Sequence, residues 1–257
     1  MTIRHLRIFI EVADTGKMSA AASKLYISQP TVSQAIKELE EYYGMLLFER
    51  LSKKLYITEK GKKLLSYARN VVKQFDDMEE MIFETGYVEK IRIGATMTVG
   101  ECLLSQILNS FKKANPEVEI YSYINNTKII EEKLLKSELD VAIVEGRVKS
   151  QDLISIPEIK DFLVLICSMS HPFAKRETVK LSELSQESFA MREEGSGTRE
   201  LFERFMADKG ISIKTTWEAN SSQAIKSAVI ENQSLAVISV RLLEEEIRRG
   251  QVYVIQN

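Results

Sequence analysis

Residues 17–50 read KMSAAASKLYISQPTVSQAIKELEEYYGMLLFER and predict two short helices joined by a tight turn. Upstream, apolar residues at positions i, i+3, i+4 and i+7 predict an amphipathic helix that ends near Gly16. Those positions are Leu6, Phe9, Ile10 and Ala13. Within the quoted stretch, Ser19 is predicted to cap the first helix, and the small residues Ala21 and Ala22 allow another helix to cross closely.

The second helix of the pair is predicted to be capped by Ser28, with Pro30 in the first turn, where its missing N–H is not needed. Its apolar stripe is Val32, Ala35, Ile36 and Leu39. In a helix-turn-helix, the start of this helix meets base edges, which polar side chains can bond. The residues predicted to contact DNA are Ser28, Gln29, Pro30, Thr31, Ser33, Gln34 and Lys37. A small helical bundle with a polar face is the alternative.

The segment LSKKLYIT, residues 51–58, alternates apolar and polar residues and predicts a short hairpin, or wing. Arg50, Lys53 and Lys54 are predicted to contact DNA from this wing. Residues 1–75 carry a net charge of +6, whereas residues 76–257 carry −8. Because the positive charge coincides with the motif, it favours a nucleic-acid footprint over an ordinary solvated basic face.

Four motifs in the first 50 residues resemble those of the LysR-type transcriptional regulators. They are S-x-A-A-x-x-L at 19–25, S-Q-P-x-V-S at 28–33, I-x-x-L-E at 36–40 and L-F-x-R at 47–50. Tyr43-Gly44 departs from the Leu-Gly that is frequent in the family, although an aromatic residue there can still pack inward. The resemblance implies a winged helix-turn-helix over residues 1–58 and an α/β effector domain, similar to periplasmic binding proteins, whose ligand lies between two lobes.

Residues 59–86 are predicted to form a linker helix, with no Gly or Pro between Lys62 and Thr85. Apolar residues spaced alternately by four and three form a heptad seam, which is typical of a helix that pairs with a second helix. The seam consists of Leu64, Ala68, Val71, Phe75, Met78 and Ile82. Packing inside its own domain is the alternative. The resemblance implies pairing through this helix, and therefore a homodimer or homotetramer that binds a double-stranded operator with two half-sites.

From Lys90 onward, strands alternate with helices in a βαβαβ order that predicts an open parallel sheet. This set forms lobe I of the effector domain, residues 90–160, and a second such set forms lobe II, residues 161–257. The predicted strands are 91–95, 118–124, 141–144, 162–166, 189–191, 235–239 and 252–255. The predicted helices are 99–113, 128–138, one after Ser182, one after Thr198, and 221–232.

Polar residues follow several of these strands, at the edge where open α/β sheets bind ligands. In the loop REEGSGTR, residues 192–199, glycines allow consecutive N–H groups to converge and arginines can pair with an anion. The residues predicted to bind a small anionic effector are Thr96, Thr98, Thr127, Arg192, Ser196, Thr198, Arg199 and Ser221. An ordinary capped helix start is the alternative for the loop. The resemblance likewise implies ligand contacts at Thr98 and Thr127.

Other features limit the class of protein. No apolar run reaches membrane-spanning length and no signal-peptide pattern is present, so we expect a cytoplasmic protein with no membrane partner. Cys102 and Cys167 lack metal-ligand spacing, so reduced buried thiols and no metal are expected, with redox sensing by Cys102 as an alternative. The family usually continues with a strand and a helix that return to lobe I, so this sequence is either shortened or its lobe I incomplete.

The resulting hypothesis is a ligand-responsive transcription regulator that needs no cofactor, with RNA polymerase as a further candidate partner. An enzyme with a binding-protein fold, similar to prephenate dehydratase in its Thr198-Arg199 pair, is the alternative. Only His5 and His171 could act as bases at neutral pH, and no nucleophile-base pair is recognisable, so no enzymatic activity is expected. A solute-binding transport component would need an export signal and would not need a helix-turn-helix.

Overall fold

The computed structural model describes residues 1–51, 54–83 and 88–255. The chain divides into two compact units, Met1–Tyr87 with Leu135–Ser137, and Val88–Leu134 with Glu138–Asn257. No helix in these described ranges is long and apolar enough to cross a membrane.

The first unit is a three-helix bundle followed by a hairpin and a long helix. Its elements are α1 (Ile3–Thr15), α2 (Met18–Lys24), α3 (Gln29–Tyr43), β1 (Phe48–Leu51), β2 (Lys54–Ile57) and α4 (Glu59–Phe83). The predicted apolar stripe of α3 is buried against α1 and α2, and Phe9 packs edge-on against Phe48. The predicted helix pair and wing are therefore confirmed.

Capping residues explain where these helices begin and end. Gly16 ends α1 with a φ of +66°, and Gly44 ends α3 with a φ of +62°, both in the left-handed region that favours glycine. Ser28 caps α3 as predicted, because its Oγ accepts a hydrogen bond from Thr31 N at 3.3 Å. The predicted cap at Ser19 is wrong, since α2 already begins at Met18 and Ser19 lies inside it.

Glu40 explains why the I-x-x-L-E and L-F-x-R motifs occur together. Its Oε1 accepts hydrogen bonds from the backbone N–H groups of Leu47 (2.7 Å) and Phe48 (3.2 Å). The end of α3 thereby fixes the start of the wing, and the buried Leu47 and Phe48 join the bundle core.

Lobe I of the second unit has the predicted βαβαβ order. Strands β3 (Lys90–Ala95), β4 (Glu119–Ile124) and β5 (Val141–Ile143) form a parallel sheet in the order β4-β3-β5. The first crossover helix, which we call α5, has three consecutive segments, Met97–Val99, a π-helical Gly100–Leu104 and Ser105–Ala114; the second, α6, is Thr127–Leu135. Its small buried core consists of Ile93, Ala95, Val99 and Leu104.

Lobe II does not repeat this topology, so the predicted second parallel set is wrong. Strand β6 (Leu163–Ser168) lies between β9 (Ala236–Ser239) and β10 (Val252–Val254) and is antiparallel to both. Strands β7 (Ser188–Arg192) and β8 (Lys214–Ala219) pair in parallel. The helices are α7 (Gly197–Asp208), α8 (Ser222–Asn232) and α9 (Glu244–Arg248), with 3-10 turns at Pro172–Lys175, Leu181–Gln186 and Val240–Leu242.

Three elements of lobe II differ from the sequence prediction for identifiable reasons. Strand β8 was missed because its residues are almost all exposed, so it lacks the apolar alternation that marks a half-buried strand. The helix predicted after Ser182 is instead a six-residue 3-10 turn, Leu181–Gln186, because the chain there does not continue beyond the short run that is typical of 3-10 structure. The five-residue α9 was missed because so short a helix shows no helical periodicity.

Candidate nucleic-acid interface and ligand cleft

The start of α3 presents the polar face that the sequence predicts. Its side chains are exposed, at Ser28, Gln29, Pro30, Thr31, Ser33, Gln34 and Lys37. The Ser28 hydroxyl lies 2.8 Å from Thr31 Oγ1 and also caps the helix, so it organises the first turn. The exposed amide and hydroxyl groups have the chemistry that reads base edges in the major groove.

Glu38 lies one turn beyond Gln34 on the same face, and the sequence analysis did not single it out. Gln34 Nε2 donates to Glu38 Oε1 at 2.9 Å, and His5 Nε2 lies 2.8 Å from Glu38 Oε2. The hydrogen bond from Gln34, followed by that from His5, lowers the pKa of Glu38. An ionised carboxylate thus holds the Gln34 amide in one orientation.

Tyr26 lies in the turn between α2 and α3 and is 96% exposed. Its backbone φ is +54°, a conformation that residues other than glycine adopt at an energetic cost. An aromatic residue in a short helical motif is ordinarily expected in the core, so the sequence analysis overlooked it. The phenol is instead presented to solvent directly before the proposed DNA-contacting residues.

The wing is an antiparallel hairpin whose register pairs Arg50 with Leu55 and Phe48 with Ile57. Leu55 and Ile57 pack against the bundle core, whereas Arg50 is exposed. Lys53 lies outside the described residues, and the side chain of Lys54 is also not described.

The structure places the first two members of the predicted seam on α4 inside the first unit rather than on an exposed face. Ala68 is only 2% exposed, and Leu64 packs against the same core, so both serve the internal packing that was the alternative. Farther along α4, Phe75 is half-buried while large apolar side chains are exposed. They are Tyr67, Val71, Met78, Met81, Ile82 and Phe83. The exposed apolar stripe of α4 therefore begins near Tyr67, one turn later than the predicted seam.

In the second unit, three strand ends converge around the Thr127 hydroxyl, as predicted. Thr127 Oγ1 donates to the Glu145 carbonyl at 2.9 Å and accepts from Gly197 N at 3.1 Å. Thr96 Oγ1 accepts from Glu145 N at 3.2 Å. The residues after β3, β4 and β5 of lobe I thus meet the loop after β7 of lobe II, and we call this region the cleft.

Glycine is required where the two lobes approach. A Cβ on Gly197 would lie 2.3 Å from the Glu145 carbonyl oxygen and 2.7 Å from Thr127 Oγ1. A Cβ on Gly146 would lie 2.7 Å from the Gly197 Cα, and Gly146 also has a φ of +88°. Gly195, which precedes α7, has a φ of +92°. These positions permit backbone-to-backbone contact between the lobes.

The hydroxyl residues predicted to bind the effector lie in or beside this cleft and are buried. They are Thr96, Thr98, Thr127, Ser196 and Thr198. Ser196 is the residue before α7, and its side chain does not cap that helix, so it is not used as an ordinary cap. The first turn of α7 retains N–H groups, those of Thr198 and Arg199, that no carbonyl within the helix can satisfy. An anion at this position would accept hydrogen bonds from these two N–H groups.

The two predicted arginines already have carboxylate partners. Arg192 is buried and donates two hydrogen bonds to Glu193, at 2.9 and 3.0 Å. Arg199 donates to Glu203 (2.7 Å), to Glu218 (2.6 Å) and to the Arg192 carbonyl (3.0 Å). The prediction that Arg199 faces an anionic ligand is therefore corrected, because its guanidinium ties α7 to β7 and β8.

The prediction that Ser221 binds the effector is also corrected. Its Oγ accepts a hydrogen bond from Ala224 N at 3.3 Å and caps α8. The following residue, Ser222, donates to Glu101 Oε2 at 2.5 Å and so joins lobe II to the π-helical turn of α5. The contact between the lobes is thus made by Ser222, the neighbour of the predicted residue.

Glu145 is the charged residue in the cleft that the sequence analysis missed. It lies two residues after β5 ends, at the same sheet edge as Thr96, so its place after a strand could have identified it. Burial raises the pKa of Glu145, and the charge of Asp161 adds to that effect. A hydrogen bond from Thr98 and the charge of Arg192 act in the opposite direction.

The two cysteines are neutral thiols. Cys102 lies in the π-helical turn, where its Sγ is 3.6 Å from the Arg241 carbonyl, and burial followed by the Glu101 charge raises its pKa. Burial raises the pKa of Cys167 to about 11. Redox sensing by Cys102, which would need a thiolate, is therefore not supported; Cys167 is buried as expected, whereas Cys102 is partly exposed.

Comparison with known proteins matches both units to one family. Residues 3–62 match the bacterial regulatory helix-turn-helix proteins of the lysR family, and residues 85–256 match the LysR substrate binding domain. The HTH-type transcriptional activator CmpR of Synechocystis sp. is 32% identical over 99% of this chain and 84% of its own length. CysL, an HTH-type transcriptional regulator of Bacillus subtilis, is 30% identical over 97% of this chain and 84% of its own length.

A solved structure is similar to the second unit. The CcmR regulatory domain of Synechocystis PCC6803, determined in complex with 2-PG, superposes with a TM-score of 0.60 at 26% identity. The match covers 65% of this chain and 80% of that domain.

Proposed function

Because this chain belongs to the LysR family of transcriptional regulators, we propose that its α3 surface reads an operator and that its cleft binds a small anionic effector. The family membership makes the protein a DNA-binding transcription regulator with an effector domain. We propose, in addition, which side chains contact the DNA and the effector, how the chain oligomerises, and what kind of effector it binds.

The exposed polar start of α3 is the observation that carries the DNA-binding proposal. Gln29, Thr31 and Gln34 present exposed amide and hydroxyl groups at the start of α3, where Ser28 caps the helix. We assign them to base edges, and Lys37, Arg50 and the wing lysines to phosphates. The Tyr26 phenol is assigned to the DNA backbone, where a hydroxyl can donate to a phosphate oxygen.

The oligomer is proposed from the exposed apolar side chains of α4. Val71, Met78 and Ile82 lie on one side of a helix and need a partner surface to leave water. Pairing through this stripe places two α3 surfaces on one operator, so the DNA should contain two related half-sites. A homodimer is the minimal assembly, and a homotetramer would join two such pairs.

The effector site is proposed where the cleft offers donors from both lobes. The hydroxyls of Thr98 and Thr127 come from lobe I, and Ser196 and Thr198 come with the N–H groups of the first turn of α7. Such a set suits a small oxyanion. The similar CcmR domain, which holds 2-PG, supports a small-molecule ligand in this type of domain.

The regulatory mechanism follows from the contacts between the lobes. A ligand that bonds both lobes stabilises one angle between them, and the assembly that fits that angle becomes more populated. The distance between the two α3 surfaces then changes, and with it the contact to RNA polymerase. No covalent chemistry is required, and such a regulator works in the cytoplasm, where the operator is.

Fluorescence anisotropy with duplex DNA from upstream of the coding region tests the DNA-binding proposal. We expect affinity to fall linearly with salt on logarithmic axes, and Gln34→Ala to weaken binding without changing that slope. Gln186→Ala, an exposed glutamine in lobe II, is the matched control. Equal binding by Gln34→Ala and the control would reject α3 as the recognition helix.

A thermal-shift screen of small anions tests the effector proposal. We expect at least one oxyanion to raise the unfolding temperature of the parent, and Thr127→Val to lose that shift because its hydroxyl lies at the centre of the cleft. An anion shift that persists in Thr127→Val would place the site elsewhere.

A further inference from the structure

We propose that Glu38 is a positioning residue that makes Gln34 recognise adenine rather than guanine in the operator. This inference rests on the proposed function, since it specifies how one side chain of the α3 surface selects its base. The amide of Gln34 donates to the Glu38 carboxylate, whose second oxygen lies beside the His5 ring. These three side chains therefore orient the amide before DNA binds.

The Glu38 carboxylate determines which end of the Gln34 amide faces it. Gln34 Nε2 lies 2.9 Å from Glu38 Oε1, and the two residues are at positions i and i+4 of α3, so they are neighbours on the helix surface. An ionised carboxylate only accepts hydrogen bonds, whereas the two ends of an amide are a donor and an acceptor. The amide oxygen therefore cannot replace the nitrogen beside Glu38.

His5 holds the carboxylate from the other side. Its Nε2 lies 2.8 Å from Glu38 Oε2 and donates to it, since the carboxylate only accepts, and its Nδ1 lies 2.7 Å from the Thr2 hydroxyl. Glu38 is thus bonded by α1 through one oxygen and by α3 through the other. The hydrogen bond from Gln34, followed by that from His5, lowers the pKa of Glu38, which agrees with an ionised carboxylate near neutral pH.

This orientation leaves a defined edge of the Gln34 amide for DNA. The nitrogen has two hydrogens, so one donates to Glu38 while the other remains available beside the amide oxygen. One acceptor next to one donor is complementary to adenine, whose N6 group donates and whose N7 accepts. Guanine presents two acceptors, O6 and N7, so the amide oxygen would face an acceptor. Gln34 is exposed, so its amide can reach a base edge.

Direct recognition of a base by Glu38 is the competing role, since a carboxylate can accept a hydrogen bond from cytosine N4. Both oxygens of Glu38, however, already have partners within the protein. Its negative charge also repels phosphates, which lowers affinity for every sequence alike. Positioning of Gln34 instead affects the preference at one base pair, and the two roles can therefore be separated.

Selection of binding sequences from a random duplex library by the full chain tests the proposal. Sequencing the bound duplexes gives the base preference at each position, and Gln34 contacts the position whose preference changes in Gln34→Ala. There we expect the parent to favour adenine over guanine by at least about tenfold. Glu38→Ala should reduce that ratio to within about threefold, because the amide can then turn over or offer both hydrogens to guanine. A parent preference for another base at that position would overturn the proposal.

Two further variants separate positioning from charge. Glu38→Gln keeps the size of the side chain but can donate as well as accept, so it should also lose the adenine preference. Glu41→Gln removes the same charge from an exposed carboxylate farther along α3, and it should keep the preference of the parent. Thermal unfolding checks that the variants are folded, and surface substitutions of this kind leave the unfolding temperature nearly unchanged. Weaker binding to all sequences with an intact adenine preference would show a merely structural role for Glu38.

The outcomes distinguish this proposal from the assignment of α3 to DNA. If Gln34→Ala changes the preference at one position and Glu38→Ala does not, the role of Glu38 is wrong and α3 remains the recognition helix. If Glu38→Ala changes the preference at a different position, Glu38 contacts a base directly and the positioning role is overturned. If the parent selects no sequence, or Gln34→Ala selects the same sequences as the parent, the assignment of Gln34 to a base edge fails as well.

Discussion

The two proposed binding regions of this protein use polar residues in opposite ways. On α3, Gln29 and Thr31 are exposed to solvent. In the cleft, Thr96 and Thr127 are buried, and their hydroxyls are hydrogen-bonded to the backbone of Glu145 and Gly197. The α3 surface is already exposed before DNA binds, whereas the cleft must exchange internal hydrogen bonds for hydrogen bonds to a ligand.

This difference determines what each region can do. An exposed face can dock on DNA without changing the protein, so its substitutions should alter affinity and leave stability nearly unchanged. A cleft whose polar groups join two lobes couples ligand binding to the arrangement of those lobes. We therefore propose that α3 recognises DNA and that the cleft responds to the ligand. The following substitutions test that separation.

The largest effect is expected from charges on the exposed stripe of α4. Val71→Glu combined with Met78→Glu should abolish the dimer and weaken operator binding by more than about 100-fold, because two linked heads bind far more tightly than one. Size-exclusion chromatography with light scattering measures the mass, and anisotropy measures the affinity. Glu80→Ala, on the opposite face of the helix, is the control. A double variant that remains dimeric would refute pairing through α4.

The next largest effect is expected from closing the gap between the lobes with a methyl group. Gly197→Ala would place a Cβ against the Glu145 carbonyl and should destabilise the second unit by about 2 to 3 kcal/mol. Gly250→Ala has open space but a φ of +62°, so it should cost only about 1 kcal/mol. Thermal unfolding compares the two. Equal losses would show that crowding at the cleft is unimportant.

Gln34→Ala should weaken operator binding by about 1 to 3 kcal/mol and relax specificity at one base pair, as expected for a bidentate base contact. The unfolding temperature should stay the same, because Gln34 bonds only the exposed Glu38. Anisotropy with single-base operator variants measures this. A loss of stability as large as the loss of affinity would contradict the separation between α3 and the cleft.

Tyr26→Asn should have the smallest effect. Asn tolerates a positive φ better than Tyr, so stability should rise by a few tenths of a kcal/mol, up to about 1 kcal/mol. Operator affinity should fall by about threefold, since one backbone contact is lost. Tyr26→Phe keeps the ring and removes only the hydroxyl, and unchanged affinity in both variants would remove Tyr26 from the interface.

The first unit was predictable because its signals are local. Ser28, Pro30 and Gly44 act within one turn of the backbone, and the apolar stripe of α3 follows the helical period. The heptad seam was predicted only in part, since the same apolar spacing suits a core and a partner helix. Ala68 shows the limit, because only the packed structure reveals that it faces the bundle core.

The cleft was less predictable because its chemistry depends on residues distant in the chain. The hydroxyls at strand ends could be found, since strand ends of a parallel sheet meet at one edge. The pairing of Arg199 with Glu218 could not, because β8 lacks apolar alternation and its position was unknown. An arginine that a loop sequence suggests is available to a ligand can already be hydrogen-bonded to carboxylates in the folded protein.

The order of residues was enough to predict the helix-turn-helix, the Ser28 cap, the basic first unit and the βαβαβ order of lobe I, since these depend on neighbouring residues and on periodicity. The folded geometry was needed to find the strand directions in lobe II, the partners of Arg192 and Arg199, and the position of Glu145 where the lobes meet. The physical reason is that charge pairing and desolvation depend on distances through space, which the order of residues does not specify.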